Sequence, residues 1–271
     1  MKMKTLTGLL AASTIFASGA AMAEPFYLDV NNFDTTPLGG TDGLTALISQ
    51  LGVNWSATSV FTDDNGVAGI NFGDSVLDSG AGTVSSYLDS AASAISGGEN
   101  NEGVGVTHQL RFSYNDLAGT VVLNDGAGGI LAHYTSGTIS IRSDNNTNGN
   151  TTDAGEKEVL RLDVFNSTGT IGNLILFATV GFVDPGSFFF PPATDWSGLT
   201  VAINARVDFN LDPLIPTATT PDTAGNPRFT RTSTLDGSVQ FNRVPEPSVL
   251  ALLGIGLVGM GVGRRVKKQR A

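Results

Sequence analysis

The sequence contains no cysteine. That excludes a disulfide framework, a zinc–thiolate site and a cysteine nucleophile, so stability must come from a hydrophobic core. Histidine is scarce, with two in the chain, His108 and His133. His108 shares an apolar strand face with Val106, Leu110, Phe112 and Tyr114 and reads as a core residue rather than a general base. His133 sits near a strand end beside Tyr134. No G-x-S-x-G, H-E-x-x-H, P-loop or dinucleotide-binding glycine pattern occurs. Gly126-Ala127-Gly128-Gly129 lacks the lysine and the following helix of a phosphate loop, and reads as a plain loop. A pair of glycosidase carboxylates is not excluded, because two acids far apart in sequence can meet in a folded sheet. The expectation is a protein that is not an enzyme.

Positive charge is also in short supply, and most of it lies at the ends. The chain has 15 Lys and Arg against 25 Asp and Glu. Two of the positives are Lys2 and Lys4, ahead of a short apolar run at 6–17 and an Ala21-Met22-Ala23 cleavage site. This is the pattern of a secretory signal peptide removed after Ala23, which implies the Sec translocon and signal peptidase as partners. Five more positives and Glu246 lie in the last 28 residues. Residues 24–243 keep eight basic and 24 acidic residues, a net of −16. Such a surface repels a phosphate backbone, so no nucleic-acid partner is expected.

The middle of the chain, 24–243, is long enough for one core and is expected to be one domain. Gly, Ser, Thr, Asn and Asp punctuate short alternating segments, the pattern of an all-β fold. The expected architecture is an antiparallel β-sandwich, jelly-roll-like, of about ten strands. Strands are expected at 26–30, 54–62, 67–72, 106–114, 117–123, 130–134, 138–142, 159–165, 199–209, 228–235 and 238–243. Hairpin turns are expected at Asn115-Asp116 and Asp236-Gly237. The more continuously apolar 171–183 reads as a buried central strand. One or two short helices are expected, at 44–51, where Leu44, Leu47, Ile48 and Leu51 recur at helical spacing, and at 85–95. The loop at 184–196 carries Phe188-Phe189-Phe190 and folds over the end of the domain or offers an apolar patch.

The segment 144–158 is the best chemical candidate. Asp144, Asn146, Asn148 and Gly149 fit the opening D-x-[DN]-x-[DN]-G of a calcium loop. The twelfth position is Gly155, and the first glutamate comes one place late, at Glu156, so this is not an EF-hand. Two readings stay open. One is a looser calcium site between strands, with Asp144, Asn146, Asn148, Asp153 and Glu156 as ligands. The other is a solvated Asn/Gly turn with no cofactor at all.

The C-terminal 28 residues have three parts with distinct physics. Val244-Pro245-Glu246-Pro247 cannot extend a helix or a strand backward and stays extended. Residues 248–263 are uncharged and apolar, and as a helix would be about 24 Å long, marginal for a membrane span. Arg264, Arg265, Lys267, Lys268 and Arg270 follow as a basic stop. By the positive-inside rule that cluster stays cytoplasmic and the chain before it lies outside. This tail resembles the PEP-CTERM sorting signal of Gram-negative bacteria. The resemblance covers about a tenth of the chain and implies cleavage by an exosortase, a membrane-embedded cysteine transpeptidase. It further implies a precursor held transiently in the inner membrane, then a protein at the cell surface or in the extracellular matrix. The organism would be one that makes exopolysaccharide, with a role in biofilm or floc. The central domain is loosely similar in composition to flocculation-associated members of that group. The other roles open to it are a carbohydrate-binding module using Trp55, Phe188 or Trp196, and, behind that, a glycan-active hydrolase. The resulting division is a signal peptide at 1–23, a β-domain at 24–243 and a sorting signal at 244–271.

Overall fold

The computed structural model describes residues 25–28, 45–95, 108–144, 157–184, 188–189, 199–207 and 215–243. Their strands, in chain order, are β1 (Tyr27–Leu28), β2 (Gln50–Thr62), β3 (Ser75–Leu88), β4 (Gln109–Asn124), β5 (Ile130–Asp144) and β6 (Glu158–Thr170). They continue with β7 (Asn173–Val183), β8 (Phe188–Phe189), β9 (Leu199–Val207), β10 (Thr217–Thr219) and β11 (Arg228–Arg243). No helix lies among the described residues, all of which fall within Ala23–Arg243. The terminal segments, with Ala21, Ala23, the signal helix and the transmembrane helix expected from sequence, lie outside them.

Alternation builds the wall. In β2, Leu51, Val53, Trp55, Ala57, Ser59 and Phe61 are all buried, while Asn54 and Ser56 face solvent. Small and β-branched residues between the large apolar ones suit a pleated surface with one wet face.

The sheet is all-β and antiparallel, as expected, but it closes. Its order is β11-β2-β3-β4-β5-β6-β7-β9, and β9 pairs back onto β11. β11 supplies the closure because it is long enough to serve two neighbours. Residues 228–239 pair with β2 on one edge. On the other edge 228–230 pair with β10 and 235–243 with β9. The eight-stranded barrel replaces the expected sandwich. Both architectures have the same one-face-in alternation, and only the double pairing of β11 separates them. Closure also removes the exposed edges that a sandwich must protect.

Two expected hairpins are absent. Asn115-Asp116 lies inside a continuous β4, at a register irregularity between Ser113 and Ala118. There the buried phase passes from Leu110 to Leu117 and Val121, and Asp116 Oδ1 accepts a hydrogen bond from the Thr138 amide at 2.9 Å. Opposite it, Gly137 joins the two expected strands of β5 into one. Its φ is 143°, and a side-chain carbon there would lie 2.7 Å from Leu117 Cα, so glycine is required. Asp236-Gly237 is likewise mid-strand, paired with Asn54 and Val53 on one side and Arg206 and Ala205 on the other. A turn there would forfeit ladder bonds on two edges.

Neither expected helix forms. Ile48 exchanges backbone hydrogen bonds with Phe26 at 2.8 and 2.9 Å, and β2 begins two residues later. Leu47, a member of the expected helical stripe, is exposed. Residues 85–88 finish β3, and Asp89 Oδ1 then caps a turn by accepting from the amides of Ala91 and Ser93. Residues 67–72 form a loop rather than a strand, pinned by Asn71 Nδ2, which donates to the carbonyls of Val67, Ala68 and Gly69. β7 buries Leu176 and Ala178 and shows its other face to solvent, so it is a barrel stave and not a central strand.

The interior divides along its length. One end is apolar: Phe26, Leu28, Ile48, Leu51, Leu160 and Phe241 are each at most 1% exposed. Phe26 and Phe241 meet edge to face, with ring centroids 5.1 Å apart. The other end, beneath the β4–β5 and β6–β7 hairpins, is polar and aromatic.

Candidate functional site

In the polar half of the barrel, inward phase positions carry groups that a filled core would not choose. β3 turns Val76 and then Asp78 inward, and Asp78 is 7% exposed. The hydroxyl of Tyr134, from β5, donates to Asp78 Oδ2. The Ser59 hydroxyl, from β2, is a second partner. Burial nevertheless pushes the Asp78 carboxyl above its usual range, against the lowering pull of those two hydroxyls and the Arg231 guanidinium. Burial also raises the Tyr134 phenol, and the nearby Asp78 charge adds to the effect. Tyr114 is raised for the same two reasons. The two phenols therefore stay protonated at neutral pH and act as hydrogen-bonding groups.

Aromatic rings form the rest of the wall. Trp55 Nε1 donates to Tyr114 Oη at 3.2 Å, and the Trp55 ring meets Phe112 edge to face at 5.7 Å. Arg231 lies over the Phe61 ring, 5.9 Å from its centroid, and donates to the Gly128 carbonyl at 3.5 Å. Together these groups surround a cavity of about 80 Å3. Its lining includes Thr170 and Asn173, which are exposed, so it reaches the surface at the β6–β7 hairpin. Three polar atoms of its lining residues have no hydrogen-bond partner among the described residues: Asp78 Oδ1, Ser233 Oγ and Arg231 Nε. Buried polar atoms without partners are rare and costly. Among the described lining residues Asp78 is the one carboxylate, so no second acid faces it across the cavity.

The residues singled out from sequence are distributed differently. Trp55 is not an exposed aromatic but a wall of this cavity, 7% exposed. The side chains of Phe188 and Trp196 lie outside the described residues. His108 is buried, and His133 Nε2 is 2.7 Å from Asn166 Oδ1 on the exterior. Asp144 is fully buried at the end of β5, and Arg111 Nε donates to its Oδ2 at 2.5 Å. The other calcium candidates, Asn146, Asn148, Asp153 and Glu156, lie outside the described residues. Among the described residues no three His, Asp or Glu side chains gather as a metal would need. The sorting residues Val244, Pro245, Glu246 and Pro247 and the basic stop also lie outside them.

Sequence reasoning missed Asp78, Tyr134 and Arg231. Their signal was available as phase. Ser59 in β2, Asp78 in β3, and Arg231 and Ser233 in β11 each occupy a position where the alternation calls for an apolar residue. That signal needs the strand limits to be known first.

No curated protein and no solved structure matches the chain. Residues 243–268 match the family described as the PEP-CTERM protein-sorting motif, a match that covers the tail and not the barrel. Residues 243–268 carry a PEP-CTERM sorting motif, which implies an exosortase substrate that is exported, anchored in the membrane as a precursor and then sorted to the cell surface.

Proposed function

We propose that the mature chain is a non-enzymatic structural protein of the bacterial surface or extracellular matrix, held there with exopolysaccharide in a biofilm or floc. The observation that carries this reading is the sorting motif at 243–268, since a sorting signal commits the chain to the place where exopolysaccharide is laid down. In this reading the Sec translocon and signal peptidase export the chain, and the inner membrane holds it only until the exosortase acts. The net charge of −16 on residues 24–243 supports a soluble domain that stays hydrated among glycans and does not adhere to anionic membranes. The single carboxylate of the described cavity lining favours a structural or binding role over glycan hydrolysis, which needs two facing acids. A carbohydrate-binding module is the second reading, supported by the aromatic and polar cavity.

The test is to follow the chain in its own bacterium, in wild-type cells and in cells lacking exopolysaccharide synthesis. The proposal expects the barrel in the matrix fraction of the first and free in the medium of the second, with weaker flocs when the gene is deleted. Equal matrix retention with and without exopolysaccharide would remove the association. Unchanged flocs after deletion would remove the structural role.

A further inference from the structure

We propose that the polar half of the barrel is a binding site for one small, neutral, polyhydroxylated molecule, either a free sugar or the terminal residue of a glycan.

The chemistry of the unpartnered atoms selects the ligand class. Asp78 Oδ1 accepts, Arg231 Nε–H donates, and Ser233 Oγ does either. Asp78 and Ser233 are 7% and 4% exposed, so bulk water does not serve them freely. An apolar guest would leave all three atoms unpaired. A cation would meet the Arg231 guanidinium, and an anion would meet the Asp78 carboxylate. A hydroxyl group satisfies both sides, because it donates to the carboxylate and accepts from the guanidinium. Vicinal hydroxyls on a small ring or chain can reach several such partners at once.

The walls suit the rest of such a molecule. Trp55, Tyr114 and Phe61 present ring surface to the C–H faces of a sugar, while Tyr134 is tied to Asp78 and fixes its carboxylate. An eight-stranded barrel is wide enough to hold one small ligand. The cavity of about 80 Å3 accommodates part of a sugar ring, and its opening beside Thr170 and Asn173 lets the remainder, or a longer glycan, extend to solvent. Among the described residues, the buried apolar cluster around Phe26 and Phe241 fills the rest of the interior.

This site does not depend on the matrix role. The full-length protein binds sugar in solution whether or not exopolysaccharide retains it in cells, and either claim can fail alone. The experiment is a fluorescence titration of the full-length chain in a detergent without a sugar headgroup. A Trp196→Phe background leaves Trp55 as the single indole. The probes are free hexoses, N-acetylhexosamines and alditols, and short oligosaccharides of the same sugars. A saturable change in Trp55 emission with at least one probe is expected. Binding by the oligosaccharide as well as the free sugar identifies a terminal residue as the ligand, and binding by the free sugar alone identifies a small solute. Asp78→Asn and Ser233→Ala should each weaken binding about tenfold or more, with the β-sheet circular-dichroism signal retained. Ser233→Ala keeps the test informative where Asp78→Asn fails to fold. No saturable change with any probe would mean that water alone occupies the cavity, and would overturn the proposal. Undiminished binding by a folded Asp78→Asn or Ser233→Ala chain would overturn it equally.

Discussion

Replacing Tyr134 by Phe tests the polar interior most sharply, because it removes one hydroxyl and leaves the ring in place. Tyr134 donates to Asp78, and both groups are buried within the barrel. A hydrogen bond to a charged group contributes about 1.5–3 kcal/mol, and a neutral one about 1 kcal/mol. Above the raised Asp78 pKa, where the carboxyl is ionised, the loss should be about 2–3 kcal/mol. For a domain of this size that is roughly 4–12 °C in Tm. The pH dependence has a definite sign. Burial raises the Asp78 carboxyl above its unfolded value, so the folded barrel holds that proton more tightly than the unfolded chain. The charged form therefore costs stability at high pH. That cost fades as pH falls through the raised pKa toward the unfolded carboxylate value of about 3.9. Removing the hydroxyl raises the Asp78 pKa further, so the mutant deficit should be largest at the alkaline end of the scan. It should shrink toward about 1 kcal/mol as Asp78 takes up its proton. In an Asp78→Asn background the same substitution should cost a similar small amount at every pH. Thermal unfolding of the surface-released chain by circular dichroism, scanned from alkaline to mildly acid pH, reads this out. A deficit that does not change with pH, or none at the alkaline end, would refute the coupling between Tyr134 and an ionisable Asp78.

Three further outcomes follow. Phe26→Ala opens the apolar plug against Phe241 and should cost about 3–5 kcal/mol in denaturant unfolding, and a loss under about 1 kcal/mol would show that the N-terminal segment does not seal the barrel. Gly82→Ala places a carbon 2.3 Å from the Asn54 carbonyl oxygen and from Trp55 Cβ, so it should cost about 1–3 kcal/mol and shift Trp55 emission, whereas a neutral effect would contradict the tight β2–β3 contact. A calcium loop at 144–158 predicts heat on calorimetric titration with Ca2+ that the Asp144→Ala/Asp153→Ala chain lacks. Because Arg111 already engages Asp144, Asp153→Ala alone should remove most of that heat, and no heat in the parent chain removes the ion from the account.

The all-β class was legible because alternation survives in the raw sequence, as in the odd-numbered residues of β2 from Leu51 to Phe61. The closure was not. It depends on β11 pairing with β2 and β9 at once, and pairing partners leave no local trace. Turn chemistry misled in the same way at Asn115-Asp116 and Asp236-Gly237, where residues that favour turns serve a bulge and a shared strand. The spacing of Leu44, Leu47, Ile48 and Leu51 favours a helix locally, but the backbone bonds between Ile48 and Phe26 override it. The tail was legible for the opposite reason. A sorting signal must be read as an extended peptide and a short apolar helix, so its chemistry is linear. The cavity lies between these cases: Ser59, Asp78, Arg231 and Ser233 are visible as polar residues at inward positions, but only topology brings the polar groups of these three strands into one space.

The central claim is that the C-terminal segment is a disposable address on an exported barrel. Intact-mass spectrometry of the chain recovered from the cell surface measures this directly, in cells with the exosortase and in cells with its gene deleted. The account predicts that surface material from the first has lost the basic stop and the apolar run, ending near Arg243 or Val244. In the second, the uncut tail should remain on chain held in the inner membrane. Surface protein that keeps its full C-terminus in exosortase-positive cells, or identical processing in both strains, would contradict it.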